Sequence, residues 1–188
     1  EPAIQAAHTL RNTLSSDLLS EERPHMATTL EGYHSTIMHV LVRFGKWQTI
    51  LETPLPDDPV LYCVSTAMCH YARSVAHSAL GQIEAATQER DLFRATWDKV
   101  PESRLFFNNN ATDILAIANS MMMGELEYRK NNYDAAFNHL ESAVELNDNL
   151  YYTEPWAWMH PPRHALGALL LEQGHVEKAE QIYRADLG

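Results

Sequence analysis

Along most of the chain apolar residues recur at alternating intervals of three and four, the rhythm of one buried face of an α-helix. The stretch "MMMGELEYRKNNYDAAFNHLESAVELN", residues 121–147, keeps that rhythm on both sides of a polar break at "KNN". Gly124 lies in its first half, where a bulky side chain would obstruct a close helix contact. Ala136 and Ala143 share one face of the second half, which Tyr133 opens. The arrangement returns in "ALGALLLEQGHVEKAEQIYRADL", with Gly167 at the contact, Gly174 at the turn, Ala179 at the small position and Tyr183 at the aromatic one. "CHYARSVAHSALGQIEAATQERDLF" carries it with Ser74 for the helix glycine, Gly81 at the turn and Ala86 at the small position. In "HVLVRFGKWQTILETPLP" Gly45 is the turn and Trp47 follows, while Pro54 and Pro56 cut the second helix short. The pattern predicts helices over 2–19, 23–44, 46–53, 58–80, 82–99, 109–130, 133–147, 159–173 and 176–187. The chain is therefore expected to be one all-α array over 1–188. An orphan helix 2–19 precedes the pairs 23–53, 58–99, 109–147 and 159–187. Two connections are irregular, "VPESRLFFNNNATD" and "DNLYYTEPWAWMHPPR".

Paired helices of about 34 residues with small residues at set places are the mark of a tandem helical repeat. Gly124, Tyr133, Ala136 and Ala143 fall where the tetratricopeptide repeat wants small or aromatic residues. The chain resembles that family over most of its length, more closely over 111–188 than over 24–100. One departure is Asp148, which stands where the repeat usually closes with proline. "VLVRFGKW", "YARSVAHSALG", "LYYTEPWAWMHPPRHALGALLLEQG" and "AEQIYRADL" also look like the C-terminal half of long bacterial and fungal tetratricopeptide-repeat proteins. "WAWMHPP" departs from the usual form of the aromatic and proline loop in that group, and a further helical pair is expected after Gly188. The resemblance implies an α-solenoid of antiparallel helix pairs whose first helices line a concave face. It implies no reaction.

Composition narrows what such an array would hold. Hydrophobic residues are 45% and charged residues 21% of the 188, the balance of an ordered chain. The formal net charge of −11 speaks against nucleic acid and against anionic membrane surfaces, which both need a basic footprint. No apolar run is long enough for a membrane span. Cys63 and Cys69, six apart, fall on different faces of one helix and are expected to be buried free thiols. The chain opens in mid-helix without an initiator Met and reads as a fragment or processed product, so its compartment is not legible.

By helical phase the concave face carries Ser35, His39, Met68, Tyr71, Met121, Glu125, Tyr128 and His164. That aromatic, histidine and methionine surface lacks the dense Lys and Asn set that clamps a peptide carboxylate. It suits a partner protein, an extended apolar or basic peptide, or another copy of the chain bound end to end. The last rests on Ile4, Ala7, Leu10 and Leu14 at one end and Ile182, Tyr183 and Leu187 at the other, which expect covering. "YYTEPWAWMHPP" reads either as a plug between two repeats or as a wall of the groove, with Glu154 placed to pair with Arg163.

The motifs of common catalytic classes are missing: no glycine-rich phosphate loop, nucleophile elbow, HExxH or CxxC occurs. The expected function is non-enzymatic binding or self-assembly, without a cofactor. Ten histidines and seven methionines supply the alternative, a metal-dependent or small-molecule enzyme built on the same groove. His34, Met38 and His70 (with Met121) would converge from neighbouring first helices, and soft sulfur with imidazole suits copper among the transition metals. Cys63, His70 and His77, seven apart, are about 10 Å from one another along a helix and cannot close a site alone. "NNNAT" places a sequon at Asn110, a glycan acceptor in a secreted protein.

Overall fold

The computed structural model describes residues 2–22 and 25–187, and they are mostly helical. The N-terminal part holds α1 (Pro2–Thr13), α2 (Ser16–Leu19), α3 (Met26–His34), α4 (Thr36–Arg43) and α5 (Trp47–Glu52). Two long hairpins follow, α6 (Cys63–Ala79) with α7 (Ile83–Trp97), and α8 (Ala111–Arg129) with α9 (Tyr133–Asp148). A short antiparallel ladder between them pairs β1 (Leu105–Phe106) with β2 (Asn109–Asn110) in the register Leu105 to Asn110. The last hairpin is α10 (Pro162–Glu172) with α11 (Val176–Asp186). Among the described residues no helix is long and apolar enough to cross a membrane.

Four of the turns are built alike. Gly45, Gly81, Asn131 and Gly174 each follow a helix by two residues and sit at φ of 59°, 73°, 65° and 79°. Their amides donate to the carbonyls of Val42, Ser78, Tyr128 and Leu171. The next amides, of Lys46, Gln82, Asn132 and His175, reach back to Leu41, His77, Glu127 and Leu170 at 2.8–2.9 Å. This is a Schellman ending, which satisfies the last carbonyls of the first helix and needs a residue that tolerates the left-handed region. Three of the four are glycine and the fourth is asparagine, the next most tolerant choice. Five residues past each turn residue stands Ile50, Ala86, Ala136 or Ala179, all with no exposed surface. The turn chemistry and the packing position recur together in the hairpins α4–α5, α6–α7, α8–α9 and α10–α11.

Small residues set how closely each hairpin closes. A Cβ on Gly124 would lie 2.6 Å from Leu140 Cγ, and one on Gly167 would lie 2.5 Å from Tyr183 Cζ. At the equivalent place Ser74 is wholly buried, and its hydroxyl donates to the carbonyl of Ala86 across the hairpin at 2.9 Å. Between hairpins, α6 packs on α8 and α9 on α10. One apolar cluster runs from Ala7 through α4, α6 and α8 to Ala143, and a second joins Tyr128, Phe137 and Leu140 to Leu166, Leu170 and Ala179.

Several predicted boundaries move, each for a local reason. The helix predicted over 2–19 is interrupted, because the Ser15 hydroxyl accepts from the Leu18 amide and caps a new helix there. The helix predicted over 23–44 divides at Ser35, whose buried hydroxyl bonds the Gly32 carbonyl at 2.8 Å and bends the chain; residues 23 and 24 lie outside the described residues. The helix predicted from 58 begins at Cys63, since Asp58 Oδ1 holds the Val60 and Leu61 amides in an Asx turn. The segment left irregular near 105–110 forms the ladder, and Phe106 lies against Gly32 of α3. The first helix packs on α4, burying Ala7 and Leu14, with Ile4 against the main cluster. Ile182 is likewise covered by the second cluster, while Leu187 stays 86% exposed.

The first turn of α6 has no side-chain cap of its own. Glu31 of α3 supplies one. Its Oε1 accepts from the Ser65 amide at 2.9 Å, and the Cys63 thiol donates to its other oxygen. Arg104 Nη1 stands 3.4 Å away, and Arg104 Nη2 donates to the carbonyls of Val60 and Leu61. Glu31 has no exposed surface, and burial pushes its carboxyl up to about 7 against the pull of the Ser65 amide and of Arg104. Both cysteines are buried free thiols held up to about 11, chiefly by burial.

Candidate functional site

The connection 149–161 shapes a face where several hairpins meet. It leaves α9 beside the ladder, where Asn109 Nδ2 donates to the Tyr151 carbonyl and Asn109 Oδ1 accepts from the Tyr151 amide. It then crosses to α4 and α6. Trp158 is 2% exposed and meets His39 edge-on at 4.8 Å and Tyr71 at 5.4 Å between ring centroids. Trp158 therefore plugs the seam, while Trp156, His160 and Pro161 of the same segment line open space. Glu154 does not pair with Arg163: it accepts from the Tyr152 hydroxyl, and Arg163 makes a two-pronged bond to Asp148 at 2.6 and 2.5 Å.

Three depressions lie along this segment, and Pro161 lines all of them. The largest, about 330 Å³, is walled by helical stripes of four-residue spacing. These are Tyr71, Val75 and Ala79 of α6, Met121, Glu125 and Arg129 of α8, and Pro161, Ala165 and Leu169 leading into and along α10, with Val42, Arg43 and Trp47 opposite. The second, about 300 Å³, lies between Val40, Arg43 and Phe44 and the pair His164 and Asp186. The third, about 280 Å³, is bounded by Tyr151, Tyr152, Trp156, Asn147 and Asp186. Shared linings make one groove: Arg43, His160 and His164 join the first to the second, and Trp156 and Asp186 join the second to the third.

The charges along the groove are sorted. Arg129 Nε donates to Glu125 at 2.8 Å, and His164 Nε2 lies 2.9 Å from Asp186 Oδ2. Arg43, at the end of α4, has no carboxylate within salt-bridge distance among the described residues. His160 is held down to about 4 by burial and then by the Arg43 guanidinium, so it faces the groove neutral. His39 beneath it is held down to about 3 by burial and by His160, and neither of its ring nitrogens finds a hydrogen-bond partner. Tyr71 is raised by burial and by Glu125.

Of the residues expected on the concave face, Tyr71, Met121, Glu125 and His164 line the groove together. Ser35, His39 and Met68 are buried beneath the surface. Tyr128 is buried on the far side of α8, against Tyr133, where its hydroxyl accepts from Gln173. The bend at Ser35 and the seal made by Trp158 displace the phase assumed for α3 and α4. His34, Met38 and His70 are engaged apart: His34 stacks on Tyr62, Met38 lies in the main cluster, and His70 Nδ1 bonds Glu89 of α7 at 2.6 Å. Among the described residues no group of three or more His, Cys, Asp or Glu is arranged to hold a metal ion. Asn110 is exposed at the end of the ladder, with its amide bonded to Asp113. Arg43, Trp47, Arg129, His160 and Asp186 were not placed on this face from the sequence. The four-residue spacing from Glu125 to Arg129 carried a signal; Trp47 and Asp186 come in only through the tertiary fold.

No protein-family profile matches this chain, and neither a curated protein nor a solved structure matches it.

Proposed function

We propose that the chain is a tetratricopeptide-like solenoid whose groove holds an extended segment of a partner protein, and that it acts by binding and not by catalysis. What carries this reading is the continuity of the three depressions along residues 156–161. A small metabolite fills one cavity of about 300–1,000 Å³ and is mostly enclosed. An open run of three adjoining depressions of about 280–330 Å³, joined by shared lining residues, suits successive side chains of an extended peptide. The repeated turn and the repeated buried position support the solenoid, since stacking equivalent hairpins is how such arrays bury their faces.

A displayed library of random peptides, selected on the immobilised protein, tests the reading. Ala165→Trp fills the largest depression from its wall and should release the selected peptides while circular dichroism shows the helices retained. Failure to select any peptide, or peptides indifferent to Ala165→Trp, would refute it.

A further inference from the structure

Resting on the peptide-binding reading, we propose that the depression between Tyr151, Tyr152 and Trp156 receives a cationic side chain, lysine or arginine, of the bound peptide. Tyr151, Tyr152 and Trp156 are 74%, 73% and 63% exposed and border the same depression. Three large aromatic rings in solvent on one loop, beside a cavity, form a contact surface awaiting a partner. The loop also holds them in place. The Tyr151 amide and carbonyl are both bonded to Asn109, and the Tyr152 carbonyl accepts from Asn108.

The chemistry of the lining selects the partner. Among the described residues, Asp186, whose Oδ2 also lies 2.9 Å from His164 Nε2, is the charged side chain that lines this depression, and no lysine or arginine does. Glu154 accepts from the hydroxyl of Tyr152, a residue of the lining, and so sets a second carboxylate beside that ring. Arg163, two residues past Pro161, is committed to Asp148 through both of its terminal nitrogens, and Arg43 lines the adjoining depression. Aromatic faces carry negative potential, and a guanidinium or ammonium laid on them beside a carboxylate is stabilised twice. The net charge of −11 draws such a group from a distance. At about 280 Å³ the depression is smaller than the usual range for a whole ligand and suits one side chain.

Titration with an acetylated oligo-arginine amide, followed by tryptophan fluorescence and calorimetry, tests this, with oligo-glutamine and oligo-glutamate peptides and a methyl hexoside as comparators. Oligo-arginine should bind, and more weakly at high salt. Trp156→Ala should weaken it about five- to thirtyfold, the loss expected when a desolvated cation–π contact is removed. Asp186→Asn should weaken it severalfold and flatten the salt dependence. Trp156 is largely exposed, so its truncation leaves the fold intact, which circular dichroism checks. Binding of oligo-arginine that ignores both substitutions would overturn the site, since attraction to the acidic surface at large would then explain it. Equal binding of oligo-glutamine, or binding of the hexoside alone, would overturn the cationic specificity. Library peptides that depend on Ala165 but not on Trp156 would leave the groove standing and remove this site. A library selection that yields nothing would remove the groove itself.

Discussion

Glu31→Gln is the sharpest test of how α3 is joined to α6. The carboxyl of Glu31 caps α6 from α3 with no surface in water, and its folded value of about 7 stands above the ordinary 4.5. An acid weakened by folding binds its proton more tightly in the native state. Its contribution to stability is therefore complete below pH 4.5 and is lost as pH rises through 7. Between pH 5 and pH 8 the wild type should lose about 2–3 kcal/mol through this group, from 1.36 kcal/mol per pK unit. Glutamine keeps the acceptor for the Ser65 amide and cannot ionise, so the variant should lack that loss. Urea unfolding of both proteins at the two pH values gives a double difference, in which the other titrating groups cancel. Parallel losses in the two proteins would refute the reasoning and show that Glu31 is ionised throughout. Glu31→Ala should be far worse, by about 3–5 kcal/mol, because it strands Arg104 in the interior.

Gly124→Leu and Gly167→Leu should each destabilise by at least the 1–3 kcal/mol typical of overpacking, since even a Cβ meets Leu140 or Tyr183 within 2.6 Å; unchanged thermal melting would disprove the close contact. Trp158→Ala should cost about 3–5 kcal/mol and expose the loop to protease, because the ring is fully packed against His39 and Tyr71; limited proteolysis checks it. His34, His39 and His160 are held neutral by burial, to about 4, 3 and 4. Bases depressed by folding stabilise above their unfolded value of 6.5 and cease to do so as pH falls through those lower values. His39→Phe should therefore shift the acid midpoint downward, read by near-ultraviolet circular dichroism across an acid titration.

The helices and their pairing were legible because Gly45, Gly81 and Gly174 punctuate a strong helical period, and turn chemistry of that kind is local. Asn131 was harder to read, since only position marks it as the fourth turn residue. The breaks at Ser15 and Ser35 escaped because each depends on one hydroxyl choosing a backbone partner. The groove was half legible. Met121 and Glu125 follow from the phase of α8, but the phase argument cannot know that Trp158 comes from far along the chain to seal His39. Nor could the cap from Glu31 to α6 be read, as it joins two helices with no pattern between them. Spacing reveals what one helix does with its own faces; it is silent on which distant side chain arrives to finish them.

The crossing made by residues 149–161 has a consequence for how the molecule comes apart. Arrays in which each hairpin touches only its neighbours unfold from the ends, one unit at a time. Here Trp158, from the lead-in to the last hairpin, is clasped by α4 and α6, in the other half of the chain. Closing that contact needs the whole intervening chain in place, and opening it frays both halves together. The clasp turns a row of springs into a single spring. Any segment seated over Pro161 then presses on the same clasp, so occupancy of the groove would be felt as resistance to unfolding as far away as α1.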